Sequence, residues 1–134
     1  MPRPDQVWYH RETFEKQAFF ARTVKSRGML HVSGCTGVDK EGNLVGKGNM
    51  EAQLRQIYCT LTEILRVHQL TLQSVIKEVI YTTDMSALIR AGHVRTQAYN
   101  GFAPPAATGV QVSALVRPDL HVEIEIIAEL PDVV

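Results

Sequence analysis

The chain has 134 residues, enough for one domain with a sizeable core. Fourteen Lys and Arg balance fourteen Asp and Glu, a formal net charge of zero. That balance lacks the basic footprint a phosphate backbone attracts, so nucleic acid is not an expected partner. The opening Met1 to Trp8 holds no apolar run of the secretory-signal kind, and no stretch approaches the length of a membrane span. Cys35 and Cys59 form no CxxC pair and no metal-ligand spacing. Two reduced thiols in a cytoplasmic protein are the expectation.

In chain order, residues 18–25 read as a strand, Ser26, Arg27 and Gly28 as a turn, and residues 29–33 as the returning strand of a hairpin. Gly34 and the segment from Gly37 to Asn43 supply turn chemistry. Residues 50–68 predict a helix, because Leu54, Ile57, Tyr58, Leu61, Ile64 and Leu65 fall on one stripe. Asn49 is its N-cap, and His68 closes the stripe as a capping or packing residue. Residues 75–83 are β-branched and aromatic, hence a strand. Asp84 or Ser86 caps a second helix to about Tyr99, which Asn100, Gly101 and the following prolines break. Strands near 107–115 and 120–129 flank Arg117, Pro118 and Asp119.

This order predicts one two-layer α+β domain over residues 1–134, with two helices on one face of the sheet. The other face is left uncovered. Val110, Val112 and Ala114 add apolar surface to it, so a homo-oligomer is expected.

On the last strand Val122, Ile124, Ile126 and Ala128 share the face expected to meet the helices, while His121, Glu123, Glu125 and Ile127 share the other. The two glutamates lie roughly 7 Å apart along the strand. Shielded from water, such a pair raises at least one pKa, which suits a group that gives and takes protons. Left in water, they are the polar face of an exposed strand. The five histidines show no HxH or HExxH spacing, and His31 and His121 are not expected to bind a metal.

Pro105 to Val112, followed by Val122-Glu123-Ile124-Glu125, resembles the signature of the RidA/YjgF family. Val32-Ser33-Gly34 resembles that family's strand ending in Ser-Gly. Gln53 to Leu65 resembles its first helix, and Val79 to Asp84 its central strand and helix cap. The resemblance spans residues 18–128 and implies a chorismate-mutase-like fold, a mixed sheet and a homotrimer with sites in clefts between subunits. It also implies hydrolysis of reactive enamines and imines, such as 2-aminoacrylate, to a keto acid and ammonia, without metal or organic cofactor.

By resemblance the glutamate at Glu123 is linked to the attacking water, while Glu125 is assigned a structural role. Gly34, Cys35 and Gly109 are expected pocket walls, and Phe20 stands where the family often has a tyrosine. Tyr99 and Asn100 either flank the cleft or pack the second helix. One position departs from the pattern: Ala107 occupies the place of the arginine that grips the substrate carboxylate. A charge-assisted hydrogen bond contributes about 1.5–3 kcal/mol, so its loss weakens carboxylate recognition roughly tenfold or more. Period-two alternation places Arg22 on Phe20's side of the first hairpin, as a candidate replacement. A larger, aminomuconate-like substrate and a catalytically idle relative that binds a metabolite or protein partner both remain compatible with Ala107.

Overall fold

The computed structural model of the chain describes residues 1–132. Its strands are β1 (Val7–Trp8), β2 (Thr23–Ser26), β3 (Met29–Thr36), β4 (Val75–Thr82), β5 (Ala106–Gln111) and β6 (Val122–Glu129). Its helices are α1 (Glu12–Gln17), α2 (Met50–Val67), α3 (Met85–Arg90) and α4 (Gly92–Ala98). The six strands form one sheet in the order β1-β2-β3-β6-β4-β5. Only the β4–β5 pair is parallel. This is the mixed-sheet α+β architecture that the sequence predicts.

The first hairpin turns where expected. Ser26 pairs with Met29, leaving Arg27 and Gly28 as a two-residue loop with φ of 50° and 78°. Positive φ at both positions matches the right-handed twist of the flanking strands. The apolar stripe of α2 is also as predicted. Leu54, Ile57, Leu61, Ile64 and Leu65 are fully buried against Leu30, Val32, Ile124 and Ile126 of the sheet. Each such side chain contributes roughly 1.5–3 kcal/mol by leaving water. Asn49 Oδ1 accepts from the Ala52 amide at 3.0 Å, and His68 caps the other end with Nε2 3.1 Å from Thr23 Oγ1.

One buried amide fixes where β6 begins. Gln53, fully buried in α2, accepts from the His121 amide at 2.9 Å. Its Nε2 donates to the carbonyls of Gly46 at 3.2 Å and Asp119 at 3.1 Å. The segment entering β6 is therefore tied to the helix layer, and Val122, Ile124, Ile126 and Ala128 turn inward as the alternation requires.

Three expectations change. Residues 18–25 are not a continuous strand. Ala18 ends the helix α1, Phe19 turns with φ of 60°, and the ladder starts only at Thr23. The apolar run at Ala18–Phe20 belongs to a helix exit, which period-two counting cannot distinguish from a strand. The predicted helix to Tyr99 is broken at Ala91, which ends α3 and precedes Gly92, a weak helix former; Asp84 caps it, accepting from the Ala87 amide at 3.0 Å. The strand predicted at 107–115 ends at Gln111, whose side chain accepts from the Met85 amide at 2.9 Å.

Candidate functional site: a cleft at a bulge in the sheet

The site begins with an irregularity in the β3–β6 ladder. Val32 pairs with Ile126 and Cys35 with Ile124, so Ser33 and Gly34 together oppose Glu125 alone. Such a bulge bends the strand and re-aims its main chain. The Ser33 and Gly34 carbonyls accept from Arg22 Nη1 at 3.0 and 2.8 Å, and Ser33 Oγ donates to the Ala21 carbonyl at 2.7 Å.

Gly34 has a steric reason to be glycine. A Cβ there would lie 2.1 Å from Glu123 Oε2, because the Glu123 carboxyl rests directly over this stretch of main chain. Glu123 is half-buried, and no described residue donates a hydrogen bond to it. Burial pushes its pKa above the ordinary 4.5; the Arg22 charge opposes that shift and the Glu125 charge adds to it. Glu125 is differently placed. Its Oε1 accepts a short hydrogen bond from the Tyr81 hydroxyl, which in turn holds the tyrosine in its protonated form. Of the two carboxyls, one is committed and one is free.

Glu123, Gly34, Cys35, Phe20 and Arg22 line one cavity of about 360 Å³. That is the lower end of the range for small-molecule sites. Five of the seven expected site residues thus share a cavity, but on a different backbone: Phe20 and Arg22 lie between α1 and β2, not on a strand. Arg22 is buried, with its guanidinium 5.1 Å from the centre of the Phe20 ring. Its Nε donates to Glu15 Oε2 at 2.8 Å, and Glu15 is fully buried. The Arg22 charge is thus matched inside the protein. Cys35 Sγ lies 3.5 Å from Arg22 Nη1, yet burial raises its pKa and keeps the thiol protonated.

Sequence reasoning missed Glu15, which organises this end of the cleft. Its Oε1 accepts from the amides of His10 at 2.7 Å and Arg11 at 2.9 Å, at the start of α1. The i,i+4 pair Glu12–Lys16, 2.8 Å apart, was the available signal of that helix. His10, Arg11, Phe14 and Arg117 also line the cavity. Burial lowers the His10 pKa, opposed by nearby Glu63, which favours a neutral imidazole.

Ala107 and Gly109 are elsewhere. They lie on β5, an edge strand whose six residues are all exposed, and neither lines the cavity within this chain. Ala107 pairs with Glu78 and Gly109 with Ile80. A Cβ at Gly109 would meet nothing within 4 Å. Glu78, fully buried on the helix side, accepts from Tyr58 at 3.0 Å, Tyr99 at 2.9 Å and Arg95 Nε at 2.5 Å. Tyr99 therefore packs α4 onto β4 and does not flank the cleft, while Asn100 is exposed. His31 is exposed, and His121 Nδ1 lies 3.4 Å from Thr83 Oγ1.

Comparison with known proteins shows the family and the fold. The family profile described as Endoribonuclease L-PSP matches residues 11–130. A RutC family protein of Pyrococcus horikoshii is 30% identical over 109 residues, spanning 81% of this chain and 85% of the relative. The crystal structure of a Yersinia pestis protein of the conserved Rid family superposes with a TM-score of 0.79 at 26% identity, over 84% of this chain and 88% of that one. A Mycobacterium tuberculosis protein of the YjgF group gives 0.76 at 32% identity, over 87% and 92%. The matched span takes in α1, the bulge at Ser33 and Gly34, β5 and both glutamates of β6, and the chain belongs to the YjgF/RidA family.

Proposed function

We propose that this protein hydrolyses a small enamine or imine to a keto product and ammonia, with Glu123 moving the protons. One observation carries the reading: an unpaired, half-buried carboxyl of raised pKa, laid over the main chain of Gly34 in a small cavity. An enamine first tautomerises to the imine. As a water oxygen bonds to the C=N carbon, the Glu123 carboxylate takes the water's proton and passes it to nitrogen, giving a carbinolamine. The same carboxyl then carries the hydroxyl proton to the amine. The C–N bond breaks as C=O forms, and ammonia leaves. The scheme uses no metal or organic cofactor.

The name of the matched profile speaks of an endoribonuclease. The even balance of fourteen acidic and fourteen basic residues gives little support for an RNA substrate here. The two unpaired cysteines fit a cytoplasmic protein, and among the described residues no helix is long and apolar enough to cross a membrane. We further propose a homotrimer whose sites lie between subunits. Exposure of all six β5 residues, Ala107 and Gly109 included, is the support for it.

Ammonia release from enzymatically generated 2-aminoacrylate and from 2-aminomuconate tests the activity. Glu123→Gln is expected to lower kcat/KM about a hundred- to ten-thousand-fold. A kcat/KM left close to wild type by the substitution overturns the reading. Ala107 favours one other reading, a family member that binds a small metabolite or protein partner without turning it over. Binding of a keto acid by a wild type that releases no ammonia selects it.

A further inference from the structure

With Ala107 in place of an arginine, the cleft needs a cation from elsewhere if its ligand carries a carboxylate. Four basic side chains line it: His10, Arg11, Arg22 and Arg117. Three are already engaged or neutral. Arg22 is paired with buried Glu15, Arg117 with Asp119 at 2.7 Å, and burial favours the uncharged form of His10.

Arg11 differs. Among the described residues it has no acidic partner within 4.0 Å, and its side chain makes no hydrogen bond, although its main-chain amide is held by Glu15. Its guanidinium carbon lies over the Phe14 ring, 4.4 Å from the centre, a cation–π contact that uses none of its N–H groups as hydrogen-bond donors to acidic partners. On the other side it rests against Gly42, where a Cβ would come 2.3 Å from Nη2. Gly42 has φ of 85°, and its carbonyl accepts from Arg117 Nη1 at 3.0 Å, which fixes the loop from the opposite wall. The cleft thus has two fittings of the same kind. A free carboxyl lies over Gly34, and a free guanidinium lies over Gly42.

We propose that Arg11 is the carboxylate-binding, specificity-determining residue of this cleft, doing in this chain what the missing motif arginine does in its relatives. The ligand class is a small anionic imine or the 2-oxo acid derived from it. The inference rests on the proposed location of the site, but it is tested by binding and does not require turnover.

The test is calorimetric titration of the full-length protein with 2-oxobutanoate and with its uncharged amide, 2-oxobutanamide. Wild type is expected to bind the acid more tightly than the amide. Arg11→Gln should weaken the acid at least tenfold and leave the amide unchanged, while Arg11→Lys should restore part of the loss. An unfolded Arg11→Gln variant would weaken both ligands alike, so the acid-to-amide ratio separates binding from folding. An unchanged ratio in an Arg11→Gln or Arg11→Lys variant that still binds the amide as wild type does overturns the proposal, and so does a wild type that binds neither ligand. Binding that depends on Arg11 without ammonia release would uphold Arg11 and overturn the hydrolytic reading. Ammonia release with a ratio indifferent to Arg11 would do the reverse.

Discussion

The cleft at Glu123 and the edge strand β5 carry the residues that the family pattern assigns to one site, yet they are built in opposite ways. The cleft is over-determined. Arg22 is buried and bonded to Glu15 and to two bulge carbonyls, and Gly34 leaves space that the Glu123 carboxyl fills. The edge strand pairs with β4 on one side only, all six of its residues are exposed, and a Cβ at Gly109 would meet nothing within 4 Å. One region has its geometry set within the chain. The other presents unsatisfied edge and surface of the kind another copy can cover. Glu78 sharpens the contrast. Directly across the ladder from Ala107, it is buried and fully satisfied by Tyr58, Tyr99 and Arg95. The interior beneath β5 is finished, and only its outward side is unfinished.

This contrast can be broken by substitution. The largest expected effect is on stability at the cleft. Arg22→Ala leaves Glu15 buried and uncompensated, and should cost about 3–5 kcal/mol in denaturant unfolding. The double replacement Glu15→Gln with Arg22→Met should recover at least half of that, because it removes both charges together. A loss below about 1 kcal/mol for Arg22→Ala would mean that the pair is solvated and the cleft is not rigid. This pairing also makes Arg22→Ala a test of folding before it is a test of substrate binding.

Gly34→Ala comes next. The Gly34 backbone has no positive φ, so the fold should tolerate alanine, but the new methyl displaces the Glu123 carboxyl. Misplacement of a reacting group by about 1 Å costs on the order of a hundredfold in rate. The expected result is that loss in kcat/KM with a Tm close to wild type. Full activity would place the reacting carboxyl elsewhere. The smallest effect is expected at the edge. Ala107→Arg should change stability by no more than about 0.5 kcal/mol, since the residue is exposed. If copies complete one another's sites, the same variant should tighten 2-oxo acid binding and light scattering should give three chains per particle. A monomer with unaltered binding would leave β5 outside the site.

Much of the fold was legible because it rests on local periodicity. The α2 stripe, the alternation of β6 and the Asn49 and Asp84 caps each depend on residues within a few positions of one another. The site was legible in part. Glu123, Gly34 and Phe20 follow from the family pattern, and Arg22 reaches the cleft from the segment between α1 and β2 and not from a strand face. Glu15, Arg11 and the Arg117–Gly42 contact were not legible. The Glu15 contacts are short in sequence but belong to an irregular turn before and after α1 that no periodicity marks, whereas Gly42 and Arg117 are far apart in the chain. The bulge was hidden for a similar reason, since a ladder's register belongs to two strands and not to either sequence alone.

The central claim is that Glu123 is the proton-transferring group of this cleft, and the pH dependence of kcat/KM for ammonia release tests it most directly. The carboxylate form is the one that takes the water's proton, and burial raises its pKa, so the rate should fall as pH drops through a value above the ordinary 4.5. That acidic limb should vanish from the residual activity of Glu123→Gln. A limb that lies at or below the ordinary value, or that persists unchanged in the variant, would contradict the account.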